Sequence, residues 1–100
     1  ACVTNALALV GLGAAVFAML LPEVTIDRAV TAAERYRTLI TGSPIIALGR
    51  QLSVTVSIGV GVAGTGMSGF DDLLKRADVA LYDAKNSGRN RVSRFLAQPE

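Results

Sequence analysis

Lys85 and Arg89 stand four positions apart with Gly88 between them, and they are the side chains of this chain best suited to chemistry. Two cations at the end of a helix, one before and one after a glycine, can hold phosphate oxygens through charge-assisted hydrogen bonds. The same pair equally suits a structural role, because a lysine in the last turn complements the negative end of the helix dipole. Other chemistries are excluded by composition. With no histidine in 100 residues, imidazole bases and imidazole metal ligands are absent. The single cysteine, Cys2, allows no internal disulfide and points to the reducing cytoplasm. The net charge is +2, and the ten Lys and Arg are spread from Arg28 to Arg94, so no nucleic-acid surface is expected.

The elements that must position this pair fit one domain over residues 1–100, since 51% hydrophobic and 18% charged residues describe a globular chain of ordinary domain size. The N-terminal part is the hardest to place. The first charged residue is Glu23, and Ala6 to Pro22 reads ALALVGLGAAVFAMLLP, which is almost the ~20 apolar residues of a membrane-spanning helix. A secretory signal is disfavoured, because Ala1 to Asn5 lack the positive flank it requires. Gly11 and Gly13 are tolerated in a membrane helix, but in a soluble chain they mark a turn between two short apolar strands. The hairpin is the reading adopted, with no membrane partner expected.

From Thr25 the periodicity becomes helical. Ile26, Ala29, Val30, Ala33, Tyr36 and Ile40 recur at three- and four-residue steps, with Thr25 as N-cap and Gly42 past the end. Asp27, Arg28, Glu34, Arg35 and Arg37 fall on the outer face. Ser43-Pro44 breaks the chain, Ile45 to Leu48 is a short apolar run, and Gly49-Arg50 is a turn. A long period-two segment follows, with Leu52, Val54, Val56, Ile58, Val60 and Val62 on one face. The opposite face is small throughout, including Gly59 and Gly61, and either meets solvent or lets another layer or a ligand approach the backbone.

Gly64 to Gly69 reads as a loop, and the S-x-x-D spacing of Ser68 and Asp71 gives a capping box for a second helix. Phe70, Leu73, Leu74, Ala77, Leu81 and Ala84 form its buried stripe. Asp71 with Lys75 and Asp72 with Arg76 are acid-first pairs of ~0.2–0.5 kcal/mol each. Gly88 caps the helix, and Arg91 to Leu96 form a last strand. The order is ββαββαβ.

These residues also carry a family resemblance. LLKRADVALYDAKNSGRNRV at Leu73 to Val92, VTVSIGV at Val54 to Val60, AERYR at Ala33 to Arg37 and FAMLLPE at Phe17 to Glu23 resemble GGDEF domains, the bacterial diguanylate cyclases, in the same order. The resemblance implies an α+β domain similar to nucleotidyl cyclase and polymerase palm folds (ferredoxin-like), with an antiparallel-rich sheet and helices packed on it. It also implies a reaction in which two subunits each present GTP and condense them to cyclic di-GMP. That phosphoryl transfer depends on Mg²⁺ and carboxylates.

The family's GG[DE]EF turn aligns with Gly13, Ala14, Ala15, Val16 and Phe17. The first glycine and the Phe remain, whereas both carboxylates are replaced by Ala15 and Val16. Neither can bind Mg²⁺, so no metal ligand and no catalytic residue is assigned in this chain. Gly11 stands where many relatives have an arginine, and Ala14 adds a Cβ where the second glycine lets a nucleotide approach. Glu23 is no substitute, since it lies at the far end of a strand of about six residues, ~20 Å away at ~3.3 Å per residue. The family's N-terminal half, with a central strand bearing another metal-binding Asp and a guanine-gripping pair, has no counterpart. If the fold is otherwise kept, this leaves two strands with unpaired backbone groups, so the chain is expected either to be a fragment of a longer protein or to self-associate.

Lys85 and Arg89 match positions where the family contacts the triphosphate. The family's inhibitory RxxD maps to Thr4 and Leu7 and is lost, while Arg35 matches an arginine that helps hold cyclic di-GMP in some relatives. Two readings result. The first is a catalytically inactive GGDEF module of a cytoplasmic signalling protein, regulatory or dimerising, with residual affinity for GTP or cyclic di-GMP and with other domains as partners. The second is an active diguanylate cyclase whose acidic groups come from an N-terminal half or a partner subunit. The first is favoured, because loss of both carboxylates removes charge stabilisation that counts for orders of magnitude in rate.

Overall fold

In the computed structural model, residues 4–12, 15–43, 45–63 and 69–95 are described. The elements are β1 (Thr4–Leu12), β2 (Ala15–Val24), α1 (Ile26–Thr41), β3 (Ile45–Ala47), β4 (Arg50–Leu52), β5 (Ser57–Val62), α2 (Phe70–Asn86) and β6 (Val92–Arg94). A four-stranded sheet has the order β2-β1-β5-β6, and β3 and β4 form a separate two-stranded ribbon. The two long ladders are antiparallel, β1 with β2 and β1 with β5, and only β6 joins in parallel. The α+β class with an antiparallel-rich sheet is therefore as expected, with one strand more than the expected ββαββαβ.

The apolar stretch at the N-terminus is a hairpin and not a helix. Among the described residues no helix is long and apolar enough to cross a membrane. Its lack of charge follows from where β1 sits. Ala6, Ala8 and Val10 pack with Ala29 and Ala33 of α1 and with Val56, Ile58 and Val60, while Leu7 and Leu9 pack with Leu73, Ala77 and Leu81 of α2. A strand covered on both faces has no polar side to show, so its sequence is a continuous apolar run. The sheet also has no central gap. β1 is bonded to β2 on one side and β5 on the other, and β2 and β6 are the edge strands of this sheet.

The expected long strand is two pieces. Arg50–Leu52 turns back on Ile45–Ala47, and Ser57–Val62 pairs with β1, with residues 53–56 belonging to neither ladder. Alternation is the same in both ladders, so it could not reveal where one stops. The reversal falls at Leu48-Gly49, both in the left-handed region at φ 52° and 74°, one residue earlier than expected, as a two-residue hairpin of the primed type requires. This ribbon packs on no other described element, and the molecule is drawn out to 51 × 24 × 20 Å.

The small face of β5 receives a helix. A Cβ on Gly59 would lie 2.0 Å from the Leu81 amide nitrogen, and one on Gly61 2.7 Å from that of Ala77. Glycine at these two places lets the α2 backbone rest on the strand. The buried stripe of α2 is Leu73, Ala77, Ala80, Leu81 and Ala84, whereas Phe70 and Leu74 are exposed. The N-cap of α2 is Gly69, which makes no side-chain cap bond; Ser68 of the expected capping box lies outside the described residues, as does Pro44.

Helix α1 begins and ends as its sequence dictates. The Thr25 hydroxyl oxygen accepts from the Arg28 amide at 3.2 Å, and the Gly42 amide donates to the Thr38 carbonyl at 2.9 Å. Its buried residues are Ala29 and Ala33, while Tyr36 is exposed.

Candidate functional site

The last turn of α2 ends over the closed end of the β1–β2 hairpin. A Cβ on Gly11 would lie 2.8 Å from Lys85 Cε and 3.3 Å from Lys85 Nζ, so the ammonium group rests against the strand two residues before the turn. Gly11 is opposite Val16 in the register and Leu12 is opposite Ala15. Opposed residues share a face of the sheet. Val16 therefore points to the α2 side, where Lys85 lies, and Ala15 points to the α1 side. Val16 and Phe17 are 50% and 60% exposed, so the start of β2 is open to a ligand or another chain. Gly13 and Ala14 lie outside the described residues.

Arg89 is placed by the way α2 stops. Ser87 is the C-cap, Gly88 follows at φ 122°, and the Arg89 amide reaches back to the Ala84 carbonyl at 3.0 Å. That bond spans six residues, as in a Schellman closure. Arg89 and Asn90 continue in the left-handed region at φ 61° and 47°. The Arg89 side chain is exposed, Lys85 is half-buried, and among the described residues neither cation is in an ion pair. The two cations thus sit at the same end of α2, free to meet an anion.

The neighbouring Asn90 was not evident in the sequence as a site residue. Its side-chain oxygen accepts from Arg37 Nη1 at 2.9 Å, and Arg37 Nε donates to Glu34 Oε1 at 2.7 Å. The hydrogen bond that Arg37 donates to Glu34 holds its guanidinium above the ordinary value, with burial acting against this and the Glu34 charge adding to it. Arg37 was expected on a solvated face and instead ties the 88–90 turn to α1. Val30, Glu34, Arg37, Asn90, Arg91 and Val92 line a hollow of about 340 Å³ there. The only advance signal was the three-residue step from Glu34 to Arg37; the link across 53 positions to Asn90 has no local signature.

Arg35 is not brought to this place. It lies on exposed α1 surface, with Ala32, Tyr36 and Leu39 beside a groove of about 270 Å³, and α1 covers the opposite face of the sheet from Lys85. Thr4 and Leu7 are structural. The Thr4 hydroxyl donates to the Ala63 carbonyl at 2.9 Å, and Leu7 is in the core. Thr4 closes the end of the β1–β5 ladder.

For a Mg²⁺ ion the donor set at the start of β2 does not fit. Ala15 and Val16 offer methyl groups and no oxygen, and Glu23 is at the other end of the same strand. For an anion the site is better suited, with an ammonium, a guanidinium and exposed backbone at a helix end.

The fold is that of a small α+β domain with helices on both faces of an antiparallel-rich sheet. Comparison with known proteins places it more closely. The family model described as diguanylate cyclase, GGDEF domain, matches residues 2–91, and the chain belongs to that family. It is 46% identical over 78 residues to the response regulator PleD of Caulobacter vibrioides, covering 76% of this chain and 17% of that protein. It is 34% identical over 92 residues to diguanylate cyclase A of Treponema denticola, covering 92% of this chain and 25% of that protein. The chain thus spans a quarter or less of the length of these relatives. Among solved structures, the GGDEF domain of DgcB from Caulobacter crescentus, in complex with c-di-GMP, superposes with a TM-score of 0.86 at 22% identity over 95% of this chain and 77% of that one. The active GGEEF domain of a diguanylate cyclase from Vibrio cholerae gives 0.84 at 17% identity, over 94% and 84%. These likenesses concern the fold.

Proposed function

We propose that this chain is a GGDEF module without cyclase turnover, serving cyclic di-GMP signalling as a cytoplasmic regulatory and association domain. The observation that carries the reading is the pair at the start of β2. Val16 shares a face with Lys85, and Ala15 points the other way. Neither side chain can bind a metal ion or neutralise the charge that develops as a 3′-hydroxyl attacks an α-phosphate. The chain works without Mg²⁺ on this reading. Lys85 and Arg89 keep a triphosphate or a cyclic dinucleotide phosphate as their ligand, which makes the module a nucleotide sensor. Its partners are other domains of a signalling protein or a second copy. DgcB has been seen with c-di-GMP and SiaD with its activator SiaC, in keeping with a family that takes both nucleotide and protein partners.

The test is to incubate the purified chain with GTP and Mg²⁺ and to look for cyclic di-GMP. No product is expected, whereas GTP binding is expected to weaken about tenfold in Lys85→Ala and in Arg89→Ala, as for loss of a charge-assisted contact. Product from the unmodified chain would overturn the inactive reading. The alternative, an active diguanylate cyclase whose acidic groups come from elsewhere in a longer protein or from a partner, is favoured by one observation only: the Lys85 ammonium still sits at the hairpin turn. It predicts turnover in the longer protein with Ala15 and Val16 unchanged, whereas turnover only after Ala15→Glu and Val16→Glu would support the inactive reading.

A further inference from the structure

We propose that Arg37 and Asn90 are positioning residues for the phosphate grip: their hydrogen bond holds the 88–90 turn so that Arg89 is presented with Lys85 at the end of α2. This rests on the reading of Lys85 and Arg89 as nucleotide ligands and names what orders one of them.

The Arg89 backbone needs holding. It stands at φ 61° and is followed by Asn90 at φ 47°. Asparagine enters the left-handed region readily, whereas an arginine is disfavoured there and persists where its surroundings impose it. Three ties do so. The Arg89 amide donates to the Ala84 carbonyl at 3.0 Å, which binds the turn to α2. The Arg89 carbonyl accepts from Arg91 Nε at 3.3 Å, and the Arg91 carbonyl accepts from the Ile58 amide at 2.9 Å, which binds it to β5. The third tie crosses to α1, where Asn90 Oδ1 accepts from Arg37 Nη1 at 2.9 Å, with Thr41 Oγ1 a longer donor at 3.5 Å.

Arg37 is held in one orientation for this bond. Its Nε and Nη2 donate to Glu34 Oε1 and Oε2 at 2.7 and 3.4 Å, so the carboxylate takes one edge of the guanidinium and leaves Nη1 for Asn90. A lysine lacks the rigid fork that meets both partners at once. The Arg37 charge is balanced by Glu34, so it supplies orientation to the site and not attraction. Helix α1 is itself seated through Ala29 and Ala33 on the face of the sheet opposite α2. The two cations therefore take their places from different helices. Lys85 is set by the seat of α2, and Arg89 is set by α1 through the turn.

The test is GTP affinity by equilibrium dialysis in a set of variants. Arg37→Lys keeps the charge and loses the fork, while Asn90→Ala keeps the fork and loses the acceptor. Each is expected to weaken GTP binding roughly three- to fivefold, short of the loss of about tenfold in Arg89→Ala, because a positioning residue removes at most what Arg89 supplies. The two substitutions combined are expected to be no worse than either alone, and neither is expected to matter once Arg89 is alanine. Without nucleotide, amide exchange at Arg89 is expected to quicken in both variants while that of Ala8 in β1 is unchanged, which shows the sheet intact. Full GTP affinity in Arg37→Lys and Asn90→Ala beside a loss in Arg89→Ala would overturn the positioning role and leave the nucleotide reading standing. A loss that persists in the Arg89→Ala background would overturn the route through Arg89. Absence of GTP binding in the unmodified chain would overturn the nucleotide reading, and the positioning role with it.

Discussion

β1 and β2 are the two arms of one hairpin and are almost equally apolar in sequence, yet one is the centre of the domain and the other its rim. Ala6 to Leu9 are at most 5% exposed, with a helix on each side of the strand. In β2, by contrast, side chains at both faces reach solvent. Hydropathy records how much apolar surface a segment has, and the sheet order decides how much of it is covered. An uncharged run can therefore mean a core strand in one arm and an outer strand in the other, with no difference that a sequence window would register.

The sharpest way to break this comparison is to put a charge at equivalent positions of the two arms. Ala8→Asp, at a site with no exposure, is expected to abolish folding, because an unpaired carboxylate there has no partner and no water; circular dichroism would show it. Ala18→Asp is expected to stay folded. Truncation gives a graded version. Leu7→Ala is expected to cost about 2–5 kcal/mol by chemical denaturation, and Leu20→Ala less than about 1 kcal/mol when measured where the chain is monomeric. If the two losses were equal, β2 would be buried and the edge reading would fail.

Smaller effects sharpen the site. Asn90→Ala removes the acceptor of Arg37 and is expected to cost about 1 kcal/mol with no change in β-sheet content. Gly11→Ala sets a methyl against Lys85 Cε, the far end of a flexible side chain; stability is expected to shift by less than about 1 kcal/mol, while GTP affinity falls because the ammonium is displaced. An unchanged affinity in equilibrium dialysis would separate Lys85 from nucleotide binding.

Much of this fold was legible because its signals are local. Thr25 and Gly42 bound α1, Gly88 stops α2, and the heptad-like spacing of Leu73, Ala77, Leu81 and Ala84 marks the face that packs. What was not legible depends on pairing between distant segments. Nothing in Thr4–Leu12 states that it will lie between β2 and β5, and the period-two pattern from Leu52 to Val62 runs through a junction between two ladders without changing. The site divides in the same way. Lys85 and Arg89 could be read from a helix end and its glycine, whereas the Arg37–Asn90 bond and the separation of Arg35 from Lys85 follow only from which face each helix covers.

The glycines of β5 have a mechanical meaning. With Gly59 and Gly61 seated under Leu81 and Ala77, α2 is keyed to the strand backbone and cannot roll or slide without riding over a pleat. The position of the Lys85 ammonium above Gly11 is thus indexed by two hydrogen atoms on the neighbouring strand, in the way a notch fixes the angle of a shaft. A single methyl at Gly59 would lift the helix and carry the cation away from the hairpin, leaving Lys85 itself untouched.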